Sequence, residues 1–173
     1  MIEIVPAATR TMIAGRLALL ACPAALSPHA EFAVASVLAT PVSLQWSPQP
    51  ARPGQLCAAL EWRAPASAAG RLTTRLAALG PLLFEVTEGA SPGCDPMRYA
   101  YVPSLGLHRG TLAANGDVAV GEGPLRELLE LSGSGPGLAG GLRRLLGTDW
   151  DEALEPLRDG GYAAPVTWLR QTG

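Results

Sequence analysis

The sequence predicts an α+β fold: a mostly antiparallel sheet on a βαββαβ, ferredoxin-like core, extended by a β-meander and followed by C-terminal helices. Three observations support this prediction. Apolar and polar residues alternate in several short segments, which is typical of half-buried strands. Two longer segments repeat apolar residues at helical spacing. These segments follow one another along the first half of the chain in the order βαββαβ.

The chain's first strand and helix are predicted before residue 42. The short apolar run over residues 16–22 favours a buried strand. Ser27 is then expected as a helix N-cap, with Pro28 at the first helical position. Apolar residues follow at i, i+3, i+4, i+7 and i+8 over residues 30–38, and Pro41 marks the end of this helix.

The rest of the predicted core consists of two strands, a second helix and a fourth strand. Alternation predicts strands over residues 42–46 and 56–62. The proline-rich loop 47–54 between them fits neither a helix nor a central strand. A second helix is expected over residues 64–79, and alternation resumes over residues 82–86.

The second half of the chain predicts a β-meander. Residues 98–102 and 105–112 have strand-like patterns. Asn115-Gly116 is the preferred dipeptide of a type I′ turn, so we expect it to connect to a strand over residues 117–120. The meander would extend the sheet.

Helices follow the meander. A short helix is predicted over residues 124–131, with Leu125, Leu128 and Leu129 turned inward. A flexible linker is predicted over residues 132–137. The next helical piece should break at Gly147 and restart at Thr148 as an N-cap, before a last strand over residues 166–170.

The chain of 173 residues is most simply one domain. We expect residues 1–14 to be a poorly patterned N-terminal extension and residues 15–173 to form a single α+β domain. The final 30 or so residues are too few to fold alone, so we expect them to dock back on the sheet.

Composition excludes several kinds of chemistry. All 13 positive charges are arginine, so the chain has no lysine for a Schiff base, for pyridoxal phosphate or for a phosphate-binding P-loop. The net charge of -2, with no basic cluster larger than Arg143-Arg144, argues against a nucleic-acid partner. No apolar run approaches the roughly 20 residues of a membrane span.

The cysteines favour a cytoplasmic protein. Cys22, Cys57 and Cys94 are widely spaced and form no CxxC pair, so they predict neither a zinc site nor a redox motif. A secretion signal at residues 17–22 is the alternative, but this apolar run is shorter than a signal core requires. No motif for a metal or a cofactor occurs, and we expect neither.

Two candidate binding residues stand at the start of the first predicted helix. His29 and Glu31 lie where the helix dipole and free N–H groups could hold a small anionic ligand. The alternative is an ordinary helix start with a solvated histidine. His29 and His108 are the only histidines, and no nucleophile motif accompanies Cys22 or Cys94.

The remaining candidates are aromatic or lie in a turn. Tyr99 and Tyr101 share one sheet face, which either contacts a partner or belongs to the core. Trp46 likewise either contacts a partner or belongs to the core. Asn115 and Asp117 suggest a ligand loop, although a hairpin turn explains them as well.

Several segments together resemble a known family. It is an actinobacterial family catalogued only as domain of unknown function 3145, and the resemblance runs from about residue 15 to residue 171. The segments that carry it are Ala25-Leu26-Ser27-Pro28-His29-Ala30-Glu31-Phe32, Gln45-Trp46-Ser47-Pro48-Gln49-Pro50, Phe84-Glu85-Val86-Thr87-Glu88, Arg98-Tyr99-Ala100-Tyr101, Ala114-Asn115-Gly116-Asp117 and Trp150-Asp151-Glu152-Ala153-Leu154-Glu155-Pro156.

The resemblance implies small cytoplasmic proteins with no established reaction, some of them encoded near fatty-acid synthesis genes. Leu20 stands where relatives often carry histidine, and Ser27 where they often carry cysteine. We therefore assign no catalytic residue. The first hypothesis is a non-catalytic binding or accessory protein, with a protein partner or a small anionic ligand and a link to fatty-acid metabolism. The alternative is an enzyme of acyl or thioester chemistry.

Overall fold

The computed structural model describes residues 11–132 and 135–158. Within these ranges it confirms the predicted α+β class, with one seven-stranded antiparallel sheet and five α-helices. The strands are β1 (Met12–Pro23), β2 (Ser47–Pro48), β3 (Gln55–Pro65), β4 (Leu83–Glu88), β5 (Met97–Val102), β6 (Gly106–Leu112) and β7 (Val118–Ala119). The helices are α1 (Ser27–Leu38), α2 (Ala68–Ala77), α3 (Glu122–Ser132), α4 (Pro136–Leu146) and α5 (Thr148–Arg158).

The strand order confirms the predicted core. The sheet runs β2-β3-β1-β4-β5-β6-β7, and neighbouring strands are antiparallel throughout. The first four strands thus have the order expected of a split βαβ arrangement, with β1 between β3 and β4. In this register Leu17 lies opposite Leu60 on one side and Val86 on the other. Strands β5 to β7 extend the sheet beside β4 as the predicted meander.

Alternation along the strands creates two faces that bury different helices. On the first face, Leu17 and Phe84 belong to the main core, which α1 and α2 cover. On the second face, Ala18 and Leu83 pack with Trp150 and two leucines of α5. Helix α5 therefore docks on the sheet, on the side opposite α1 and α2, and residues 159–173 lie outside the described ranges.

The first helix begins differently from the prediction. Residues 24–26 form a 3-10 turn that leads directly into α1, so Ser27 is already helical and is not the N-cap. Its hydroxyl donates to the carbonyl of Ala24 at 2.8 Å instead of capping the helix. The helix ends at Leu38, where Ala39 takes a left-handed conformation with φ 53°.

The predicted strand over residues 42–46 is wrong. This segment is irregular, and the only pairing nearby within the described residues is the two-residue β2. The carboxylate of Glu31 accepts hydrogen bonds from the Leu44 amide at 2.8 Å and the Trp46 indole at 3.0 Å. These bonds replace a strand ladder. The second helix is also shorter than predicted, because β3 continues to Pro65.

The β6–β7 connection is a hairpin, but its turn is not type I′. That turn needs positive φ at both central residues. Gly116 has φ 87°, whereas Asn115 is not among the described residues with positive φ. The hairpin closes through a longer loop, in which the Ala113 amide donates to the Asp117 carbonyl at 2.8 Å.

The ends of the described chain differ from expectation in three ways. Strand β1 begins at Met12, and Ile13 is buried, inside the segment predicted as an extension. Helix α4 begins at Pro136, inside the predicted linker. Helix α3 contains no buried residue, so Leu125, Leu128 and Leu129 do not enter the core, because α3 packs on α4 and not on the sheet. The strand predicted over 166–170 lies outside the described residues.

Candidate ligand-binding cleft

A cleft of about 710 Å³ opens where the end of α1, the start of α2 and the start of β1 meet. Small-molecule sites in proteins commonly measure about 300–1,000 Å³. Its apolar walls come mainly from Ile13, Val37, Leu38, Pro65 and Pro92. Its polar residues are Thr11, Ser67, Arg71 and Ser91. The cleft thus combines a mostly apolar surface with a few polar groups, as ligand sites do.

The turn between β3 and α2 forms one wall. Ser67 has φ 70°, a left-handed conformation that is unfavourable for a residue with a side chain. Buried Glu88 of β4 stabilises this turn, because its carboxylate accepts from the amides of Ser67 at 2.7 Å and Ala69 at 2.8 Å. A side chain from β4 therefore caps α2 and fixes the position of the wall.

Arg71 is the one charged residue among the described residues that line the cleft. It is exposed and forms no ion pair within the described chain. The two helix ends at the cleft do not by themselves favour an anion. The C-terminal end of α1, which carries a partial negative charge, lies at the cleft, and the carboxylate of Glu88 already binds the positive N-terminal end of α2. The charge preference of the cleft is therefore set by Arg71.

Two of the predicted site residues meet, but away from the cleft. Glu31 binds the indole of Trp46, which packs half-buried against the main core. This pair attaches the irregular segment 41–46 to α1. His29 lies exposed in the first turn of the same helix.

The two tyrosines are half-buried on the first face. Tyr101 stacks on Phe84 with ring centroids 5.2 Å apart. Tyr99 reaches α2, where a methyl group on Gly70 would lie 3.4 Å from the tyrosine hydroxyl. Both pack against the main core, so they form part of the contact between sheet and helix.

Asn115 and Asp117 bond to each other at the exposed tip of the β6–β7 hairpin. The Asn115 amide donates to the Asp117 carboxylate at 2.6 Å, and the Asp117 backbone amide donates back to Asn115 at 3.1 Å. These contacts stabilise the turn itself. Neither these two residues nor the other five predicted site residues line the cleft.

Two of the three thiols, and the second histidine, are buried. Burial raises the pKa of the Cys22 thiol to about 11, and burial also raises the pKa of Cys57. Cys94 is exposed. His108 is buried against Trp150, with Nε2 3.2 Å from the Leu145 carbonyl. A thiolate, the reactive form, is therefore disfavoured at both buried cysteines.

A cluster of charges lies on the second face, between the sheet and α5. We call Glu85, Arg98, Asp151 and Arg158 the α5 ion-pair network. Arg158 Nη2 lies 2.6 Å from Glu85 Oε1 and 2.8 Å from Asp151 Oδ1. Arg98 contacts the same two carboxylates. Two cations and two anions thus neutralise one another and join α5 to β4 and β5.

The network lowers the pKa of both carboxyls. Burial alone would raise the pKa of Glu85, but hydrogen bonds and charge from Arg158 and Arg98 outweigh it and hold the pKa below its ordinary value of 4.5. Burial would likewise raise the pKa of Asp151, but hydrogen bonds and charge from Arg98 and Arg158 lower it below its ordinary value of 3.8. Both groups therefore remain ionised at neutral pH and hold the arginines in place.

The sequence interpretation missed both Arg71 and the network. Nothing distinguishes Arg71 from the other exposed arginines until α1 and β1 are placed beside it. Asp151 stands with Asp149 in the first turn of α5, where local sequence indicates no partner, yet it bonds to two arginines. One sign was available: Glu85 and Arg98 interrupt strands whose neighbouring residues are apolar, and a charge there needs a partner.

The described residues contain neither a metal-binding cluster nor a helix that could span a membrane. No group of three or more histidine, cysteine or acidic side chains is arranged to hold a metal ion in the described chain. Among the described helices, none is both long enough and apolar enough to cross a bilayer.

Comparison with known proteins gives one match. No curated protein and no solved structure matches the chain. Three of the segments that carry the family resemblance contribute Glu85, Arg98 and Asp151 to the α5 ion-pair network. A family model described as "Protein of unknown function (DUF3145)" matches residues 17–171, and the chain therefore belongs to this family.

Proposed function

We propose that the chain is a non-catalytic binding protein whose ligand is a small anion with an apolar body, bound in the cleft. One observation carries this proposal: the cleft has apolar walls and a single charge, Arg71, among the described residues that line it. An arginine can donate two parallel hydrogen bonds to a carboxylate or a phosphate. The apolar walls would cover the body of such a molecule.

The chemistry of the lining supports binding in preference to catalysis. Thr11, Ser67 and Ser91 offer hydroxyls, but no histidine or carboxylate lines the described cleft to activate them. The alternative, an enzyme of acyl or thioester chemistry, would need such a base or a reactive thiol. Burial raises the pKa of the Cys22 thiol, which makes it a poor nucleophile at neutral pH.

A narrower proposal concerns the ligand and the compartment. We propose that the ligand is the carboxylate of a fatty acid. We also propose that the protein is cytoplasmic and acts in fatty-acid metabolism. The apolar walls of the cleft suit an acyl chain. The family resemblance implies that some members are encoded near fatty-acid synthesis genes, and this supports the metabolic link. Three free cysteines support a reducing compartment.

A matched ligand series tests the proposal. Hexanoate, hexan-1-ol and hexylamine share one apolar chain and differ in the charge of the end group. We expect hexanoate to shift the amide NMR signals of Val37, Ser67 and Ser91, and hexan-1-ol to bind about tenfold more weakly, because it lacks the ion pair. Hexylamine should be weaker still. Equal binding of all three, or shifts elsewhere on the protein, would contradict the proposal.

A second measurement separates binding from catalysis. Hexanoyl-N-acetylcysteamine is incubated with the protein, and the free thiol released by thioester hydrolysis is measured. Non-catalytic binding predicts release at the rate of buffer alone. Faster release that Arg71→Gln abolishes would replace the binding proposal with the acyl-chemistry alternative.

A further inference from the structure

The described chain enters β1 at the rim of the cleft. Thr11 is the first described residue and lines the cleft, and so does buried Ile13. Residues two apart on an extended chain share one side, which explains why both contribute to the same wall. We call residues 1–10, which precede Thr11, the segment 1–10. It is attached to the rim of the cleft by a covalent bond.

The segment 1–10 has the chemistry of the ligand proposed for the cleft. Its sequence is MIEIVPAATR, in which Glu3 stands between Ile2 and Ile4. It thus offers one carboxylate among apolar side chains. The described cleft offers apolar walls and one cation, Arg71. An arginine can donate two parallel hydrogen bonds to a carboxylate, whether that group belongs to a free anion or to a glutamate.

The segment 1–10 is also long enough to reach Arg71. Glu3 precedes Thr11 by eight residues. An extended chain of that length spans about 27 Å. A cleft of about 710 Å³ is much narrower than this. Arg10 is the other charge of the segment and is bonded to Thr11, seven residues from Glu3, so it can stay at the rim when Glu3 meets Arg71.

From these observations we infer that the cleft binds residues 2–5 of its own chain, with the carboxylate of Glu3 paired to the guanidinium of Arg71. The docked segment covers the apolar walls and occupies the one charge. A small anionic ligand then binds only when the segment is released. The inference rests on the proposed function, because it concerns the regulation of the same cleft.

The energetics favour a partial occupancy. The short tether keeps the segment at an effective concentration on the order of millimolar. Ordering the segment costs conformational entropy, which offsets much of the gain from apolar burial. Arg71 is exposed, so its ion pair adds little. We therefore expect docked and released forms in about equal amounts.

Amide NMR of the ligand-free chain tests the docking. Glu3→Gln removes the carboxylate of the segment, and Ile4→Ser removes an apolar side chain. Both should shift the amide signals of residues that line the cleft, such as Val37, because both release the segment. Ala8→Ser is the matched control. It lies in the same segment but outside the docked residues, and it should leave these signals unchanged.

Three results would overturn the inference. The first is a set of cleft signals that neither Glu3→Gln nor Ile4→Ser shifts. The second is an equal shift from Ala8→Ser, because the effect would then not depend on residues 2–5. The third is a shift that disappears on dilution, since the segment bound in the cleft would then come from a second copy of the chain.

A double substitution tests the ion pair. In an Arg71→Gln protein the partner of Glu3 is absent, so adding Glu3→Gln should change the cleft signals much less than it does in the wild-type chain. Two changes that are independent of each other would contradict the pairing of Glu3 with Arg71.

Titration with hexanoate separates this inference from the proposed function. If about half of the chains are docked, Glu3→Gln should lower the Kd of hexanoate about twofold. Hexanoate that binds in the cleft with equal Kd in both proteins would overturn the docking and leave the proposed function intact. Hexanoate that binds neither protein would contradict the proposed function, whereas the ligand-free amide signals would still decide the docking.

Discussion

The two faces of the sheet hold their helices by different interactions. On the first face, α1 and α2 cover an apolar core that includes Leu17, Leu72 and Phe84. On the second face, α5 covers a smaller apolar cluster and is joined to the sheet by the α5 ion-pair network. Gln49 adds a buried connection, since its amide donates to the carbonyls of Leu20 at 2.6 Å and Leu157 at 3.1 Å.

The difference shows that stability and orientation have separate sources in this fold. Apolar burial is non-directional and contributes about 25 cal/mol per Å². Partly buried ion pairs gain less, because desolvation offsets much of the attraction, but they require specific partners and a fixed geometry. We therefore expect the first face to dominate the free energy of unfolding, and the second to fix the position of α5 and to respond to pH.

The largest expected loss of stability comes from a substitution on the first face. Phe84→Ala removes a fully buried ring that stacks on Tyr101. The loss of buried area and the cavity left behind should lower the free energy of unfolding by about 4 kcal/mol. Urea denaturation measures this loss, and a loss below about 1 kcal/mol would mean that the main core can collapse around the cavity.

The next largest loss of stability is expected from a substitution on the second face. Glu85→Gln leaves Arg98 and Arg158 with Asp151 as their remaining partner in the network. Removing one member of a well-buried pair costs about 3–5 kcal/mol, and here we expect about 2 kcal/mol, because Asp151 is 39% exposed and water screens it. An unchanged unfolding midpoint in urea would show that the network does not stabilise the docked α5.

The contribution of the second face to the free energy of unfolding should depend on pH. The pKa values of Glu85 and Asp151 are lowered in the folded state, so their stabilising contribution is present above the ordinary values of 4.5 and 3.8. It is lost as pH falls through the lowered values. The difference in unfolding free energy between wild type and Glu85→Gln should therefore shrink below pH 4. A difference that stays constant down to pH 2 would exclude this linkage.

The smallest expected effect comes from an exposed pair that belongs to neither face. Arg126 and Glu122 pair at i and i+4 on α3, with side chains 73% and 76% exposed. Arg126→Ala should change the free energy of unfolding by about 0.3 kcal/mol. A loss comparable to that of Glu85→Gln would mean that burial does not distinguish the two kinds of ion pair.

The parts of the fold that the sequence predicts are those decided by local pattern. Alternation identified β3 and β4, and helical spacing identified α1, because both patterns show which side of an element is buried. Residues 42–46 also alternate, yet their hydrogen bonds go to Glu31, more than ten residues away. No local pattern contains that information.

The candidate site was less predictable than the fold. The cleft joins residues from α1, α2 and the start of β1, so it exists only after those elements pack together. Arg71 has the same local surroundings as Arg75, one turn later in α2. The second face depends in the same way on partners such as Glu85 and Arg158, which are 73 residues apart.

The most direct test of the proposed function compares two arginines of α2. Hexanoate is titrated into Arg71→Gln and Arg75→Gln proteins, and Kd is obtained from the amide shifts of Val37 and Ser67. Only Arg71 lines the cleft, so we predict a Kd about tenfold higher than wild type for Arg71→Gln and an unchanged Kd for Arg75→Gln. Equal Kd values for the two variants would contradict the account.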